Sequence, residues 1–250
     1  MTDETPSGGT DLERLREAVT QDAGTDPGRW HIPAGYPALA LCVLDSIYST
    51  GNRYTAVVRM LDSYRGLRSA EGADASADGP SDLVAVGERW GGAEGFAERT
   101  GYRWRAWANQ SAPLKAAVAL EAAALLDAHG LRTVDDVRAA LTDPDDQERS
   151  EVKRWWLRLP GQRSGITWGY FLMLAGVPGV KADRMVVRYT GRALGRTVSS
   201  TEAAALVGAM ADELGVSRTL LDHAIWRLES GRSVYVEAED APVDRVDHDD

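Results

Sequence analysis

Helical periodicity runs through nearly the whole chain and limits most what these 250 residues can fold into. Pro37 opens ALALCVLDSIYS at 38–49, apolar on most sides, which predicts a buried helix. In NRYTAVVRMLDSYRGL the residues Tyr54, Val57, Val58, Leu61 and Tyr64 fall on one helical face, so the two runs read as packed helices joined at Ser49, Thr50, Gly51 and Asn52. APLKAAVALEAAALLDAHG starts with Pro113 and stops at Gly130, the expected asymmetry of helix ends. Thr133 reads as the N-cap of TVDDVRAAL, with acids in its first turn. Ser199 with Glu202 makes a capping-box pattern before AAALVGAMADEL, and a last helix is expected from about 217 to 230, before Gly231. Period-two alternation occurs only briefly, in RSVYVEA at 232–238, and the predicted fold class is all-α.

A hydrophobic fraction of 44% with 26% charged residues suits one globular domain with room for two lobes. Cys42 is the single cysteine, which excludes an internal disulfide, and His31, His129, His223 and His248 are scattered without zinc or iron–sulfur spacing; no metal and no cofactor is expected. No apolar run approaches the ~20 residues that span a bilayer. The polar start MTDETPSGGT lacks the basic and apolar regions of a signal peptide. The expectation is a cytoplasmic monomer with no membrane partner.

The net charge of −10 argues against a nucleic-acid partner only until it is divided along the chain, because residues 1–30 and 235–250 together carry all of it. The body at 31–234 is neutral, and within it residues 151–200 hold nine Lys and Arg against two acids. A basic segment on a neutral body is compatible with phosphate binding, and equally with a solvated face. The segments 1–30, 69–82 and 235–250 have too little apolar content to offset the entropy of ordering and are expected to be flexible, although DLERLREAVTQ at 11–21 can form a short packed helix.

One stretch, LPGQRSGITWGYFLMLAGVPGVKAD at 159–183, carries more than periodicity. Leu159-Pro160-Gly161 can end a helix in a tight turn, the apolar run can be a helix buried all round, and VPGVK delivers Asp183 to a helix start, where the partial positive charge favours a carboxylate. Turns and N-terminal acids of this kind occur in most helical proteins. The ungapped spacing of Leu159-Pro160-Gly161, Gly176-x-Pro178 and Asp183 nevertheless resembles the helix-hairpin-helix DNA glycosylase superfamily, in particular members like endonuclease III. YPALALCVLDSIYSTGNRYTAVVRML resembles that family's early helix pair, and together the resemblances cover roughly 36–65 and 155–195.

The resemblance implies a two-lobed helical bundle that holds DNA, flips out an altered base and cleaves its N-glycosidic bond. Asp183 then takes the place of the catalytic aspartate. Gly161, Gln162, Arg163, Ser164, Gly165 and Lys181 become the phosphate-holding set, and Asp45, Tyr48, Ser49, Asn52 and Trp168 the base pocket or wedge. Asp45 is open to a second reading as a buried cap, and Trp168 to one as core packing. Gly165 stands where bifunctional members carry a Schiff-base lysine, so no lyase step is implied; Gly161-Gln162-Arg163 replaces the family's Gly-x-Gly, and the four-cysteine cluster motif is absent. Arg184, Arg188 and Arg192 form a stripe that suits DNA or solvent, and RTGYRWRAWANQ at 99–110 suits a DNA-contacting loop or an amphipathic surface. The alternatives to a glycosylase are a catalytically inactive DNA-binding helical module and a helical scaffold that does not bind DNA.

Overall fold

The computed structural model describes residues 10–236. Among the described residues there are thirteen α-helices, one 3-10 turn and no strand, in agreement with the all-α expectation. The only extended pairing among them is two isolated bridges, Trp30 with Tyr235 and Arg105 with Leu114. In chain order the helices are α1 (Asp11–Ala23), α2 (Leu39–Tyr48), α3 (Tyr54–Ala70), α4 (Pro80–Arg89), α5 (Gly92–Thr100), α6 (Lys115–Ala128), α7 (Val134–Leu141), α8 (Pro144–Arg149), α9 (Glu151–Trp156), α10 (Ile166–Leu174), α11 (Arg184–Leu194), α12 (Ser200–Leu214) and α13 (Arg218–Glu229). Two compact units result among the described residues: residues 34–179 form one, and residues 10–33 with 180–236 form the other.

The middle unit is organised around α2, every residue of which is buried. It packs on α3, α4, α6 and α10 because its sequence is apolar on all sides. Among its polar side chains, the Ser46 hydroxyl donates to Val43 O, and Asp45 Oδ2 accepts from the Tyr36 hydroxyl at 2.8 Å. Trp156, at the end of α9, packs against Phe171 (4.9 Å between ring centroids) and Trp168 (5.6 Å) on α10.

The expectation of a flexible segment at 69–82 fails here. Asp78 is buried and receives Nε and Nη2 of Arg68 at 2.7 and 2.8 Å together with the Tyr64 hydroxyl, while its carbonyl accepts from Ala40 N. A bidentate arginine–carboxylate pair supplies the ordering that composition alone did not suggest. Pro80 then starts α4 directly.

The unit built from both chain ends has its own core, in which Leu15, Val19 and Ala23 of α1 meet Val186, Tyr189, Val207, Met210, Leu221 and Ile225. Of the N-terminal segment expected to be flexible, residues 10–30 are packed: Thr10 and Glu13 close a capping box on α1, and Trp30 Nε1 donates to Ala23 O at 2.9 Å. Thr133 and Ser199 cap their helices as the sequence predicts, and Ser217 caps the last helix, which is expected from about 217. Residues 1–9 and 237–250, and with them most of the acidic tail, lie outside the described residues.

Candidate functional site

After α9 the chain turns through a hairpin into α10. Amide-to-carbonyl bonds from Leu159 to Trp156, Gln162 to Leu159 and Gly165 to Gln162 wind it tightly. Gly161 and Gly165 both hold positive φ, +79° and +76°, a region that costs a side chain roughly 1–2 kcal/mol. Trp156 Nε1 donates to Thr167 Oγ1 (3.1 Å), Thr167 Oγ1 to Gln162 Oε1 (2.6 Å), and Gln162 Nε2 to Pro160 O (2.9 Å).

Gln162 is therefore a buried internal strut, and its backbone amide, expected in the phosphate-holding set, donates instead to Leu159 O. Arg163 and Ser164 do face outward, and their backbone amides donate to no acceptor among the described residues. They sit just ahead of the α10 N-terminus, where unsatisfied N–H groups favour an anion.

Two further loops lie on this side of the middle unit. A Cβ on Gly161 would stand 3.4 Å from both Ala106 Cβ and Ala106 O, so the hairpin rests directly on the loop at 104–110. That loop is tied at its base by Ala106 N to Pro113 O and Lys115 N to Trp104 O. Across from it are Thr50, Gly51 and Asn52, and between them is a cleft of about 590 Å³ that Trp104, Trp107 and Asn109 also line. Trp107 is 48% exposed, unusual for so large a ring.

Lys115, almost wholly buried, reaches back from the first turn of α6 to donate to the carbonyls of Tyr48 and Thr50, and burial lowers its ammonium to about 8. The segments 50–53, 103–112 and 157–166 hold Arg53, Arg103, Arg105, Arg158 and Arg163 and no acid. Arg103 is paired with Glu94 and Arg105 bonds Ala112 O; Arg53, Arg158 and Arg163 are exposed.

The residues expected to form a base pocket divide. Asn52 lines the cleft and is fixed by its amide to Tyr48 O, and Ser49 is half-buried with its hydroxyl on Ser46 O. Tyr48 is corrected, being fully buried beneath Trp104, while Trp168 takes its core reading, packed against Trp156 and Phe171, so neither ring is open to stack on a base. Asp45 is fully buried under Tyr36 and Tyr170, and its charge adds to burial in raising both phenols. The sequence reading of 99–110 as a DNA-contacting loop or an amphipathic surface includes Trp107; it does not single out Lys115. A lysine at the head of the apolar run KAAVAL was the available signal for that residue.

In the other unit, Asp183 caps α11: it is half-buried, and its Oδ1 accepts from Met185 N at 2.8 Å. Lys181 N donates to Asp222 Oδ1 at 2.8 Å, and Asp222, on α13, is 6% exposed. Burial above all, with the Asp183 charge adding to it, pushes the Asp222 carboxyl up to about 8. Arg188 and Arg192 bridge to Glu229, so two thirds of the arginine stripe is spent inside the unit, while Arg184 is exposed. A second cleft, about 340 Å³ between α1 and α11, is lined by Arg14, Gln21, Asp22 and Tyr189 and not by Asp183.

A family model described as a domain of unknown function (DUF8548) matches residues 13–230. No curated protein and no solved structure matches the chain.

Proposed function

Matched over most of its length, the chain belongs to that family, and we propose that it holds duplex DNA on the loop side of the middle unit and removes an altered base by hydrolysing its N-glycosidic bond. The observation that carries the reading is the meeting of three acid-free, arginine-bearing segments around an exposed tryptophan, in a chain whose net charge is −10. Phosphates fit the Arg163 and Ser164 amides and the exposed guanidiniums, and Trp107 offers a face for an unstacked base. Such an enzyme acts on a nucleotide turned out of the helix, at a cost of a few kcal/mol that is least for damaged pairs.

In hydrolysis the C1′–N bond breaks with its electron pair leaving on the base, a water oxygen bonds to C1′, and the water's proton is given up to the base or to solvent. Positive charge develops on the sugar, and Asp183 is the carboxylate assigned to offset it. Gly165 stands where the resemblance places the Schiff-base lysine of bifunctional members, so the reading includes no lyase step and its product is an abasic site with an intact strand.

The test is purified protein on duplexes carrying uracil, alkylated, oxidised or hypermodified bases, followed by alkali. We expect base release with one of them, abolished in Asp183→Asn while DNA binding persists. Binding should weaken steeply with salt, the slope falling by about 1 in Arg163→Ala. Tight binding without release in any duplex would leave a DNA-binding module, a reading favoured by the absence of Asp183 from the linings of both clefts. Salt-independent or absent binding would remove DNA altogether.

A further inference from the structure

The buried acid on α13 has no part in the chemistry described above, yet it reaches the turn that carries Asp183. We propose that Asp222 is the positioning residue for Asp183, fixing from α13, through the Lys181 amide, the turn on which the Asp183 carboxylate is presented. The geometry is a relay of three bonds: Lys181 N to Asp222 Oδ1 (2.8 Å), Asp183 N to Lys181 O (2.6 Å), and Met185 N to Asp183 Oδ1 (2.8 Å). Each link removes one freedom: the first anchors the turn to a helix 41 residues away in sequence, the second sets its curl, and the third fixes the rotation of the Asp183 carboxylate.

A neighbouring negative charge opposes the ionisation of a carboxyl buried in this way. The charged groups acting on Asp222 are Asp183, which raises it, and Lys181, which lowers it; among the described residues α1 and α12, also packed on α13, contribute none. Below about pH 8 Asp222 is thus a neutral acid. Above it, its charge opposes that of Asp183. His223, next along α13, is kept neutral by burial, which lowers it to about 4.

The proposal deepens the reading of Asp183 as the working carboxylate, and its test has an arm independent of activity. Carboxyl carbon resonances of Asp183 are followed by NMR against pH in the full chain, in Asp222→Asn and in Asp222→Ala. In the native chain the Asp183 signal should move near pH 8 as Asp222 ionises, and that movement should disappear in Asp222→Asn, which stays neutral and retains an oxygen for the Lys181 amide. Asp222→Ala should lose hydrogen-exchange protection at that amide, and Asp222→Asn should keep it.

On any duplex the native chain cleaves, Asp222→Ala should lower base release about tenfold to a hundredfold, in line with a displacement of up to about 1 Å, with KM little changed. Asp222→Asn should preserve release at pH 7 and extend it above pH 8. An Asp183 signal indifferent to both substitutions, with Lys181 protection retained in Asp222→Ala, overturns the proposal. Failure of the native chain to cleave any duplex overturns the glycosylase reading and leaves the NMR result to decide the coupling.

Discussion

Gln162 and Arg163 are neighbours in sequence and opposites in role. The Gln162 amide fills the inside of the hairpin between Thr167 and Pro160, whereas the Arg163 side chain is exposed. Gln162→Ala strands the Thr167 hydroxyl and the Pro160 carbonyl, and should cost about 1–3 kcal/mol of stability with a secondary loss of DNA affinity. Arg163→Ala should leave the urea midpoint within about 0.5 kcal/mol of native and weaken DNA binding alone. Denaturation curves and gel-shift titrations on the same two proteins check the pair; equal stabilities would mean that the Trp156–Thr167–Gln162 chain contributes nothing. Sequence could not separate the two residues, because a polar side chain in a turn is as free to point in as out.

At the scale of elements, α6 does more than fill the core. Its first turn carries the buried Lys115, which ties the Thr50 carbonyl opposite the 104–110 loop and so sets one wall of the cleft. Burial lowers this ammonium from its ordinary 10.5 to about 8, so between those values the unfolded chain holds the extra proton and stability rises with pH. Lys115→Met should abolish that rise between pH 8 and 10.5 and speed hydrogen exchange at Thr50, Gly51 and Asn52. A variant whose urea midpoint still climbs over this window would show that another group titrates there. Most helices were legible from their caps and periodicity, but α4, α5 and α8 escaped the sequence reading, and α9 was expected only through the helix end at 159–161. Two of these, α8 and α9, have only six residues each, too few to show a period.

For the whole molecule the consequential fact is that the unit carrying Asp183 is discontinuous. It needs α1, more than 150 residues earlier, to supply Leu15, Val19 and Ala23 to its core. Deleting residues 1–24 should therefore strip hydrogen-exchange protection from α11, α12 and α13 while α2, α6 and α10 retain theirs. Uniform loss across both units would mean that they fold as one cooperative body. The family match from 13 to 230 spans both units and includes nearly all of α1, consistent with the N-terminal helix belonging to the domain.

Periodicity, capping residues and the near absence of alternation determined the all-α class and the placing of most helices, since these depend on neighbours three or four residues apart. The ends of α11, α12 and α13 followed from Asp183, Ser199 and Ser217 for the same reason. Only tertiary structure decided that Asp78 is clamped by Arg68, that Tyr48 and Trp168 are core, that Trp107 is open, and that Asp222 holds the turn before Asp183. These outcomes depend on which distant segments pack together, and burial sets whether a polar or aromatic side chain must find a partner or is left facing water.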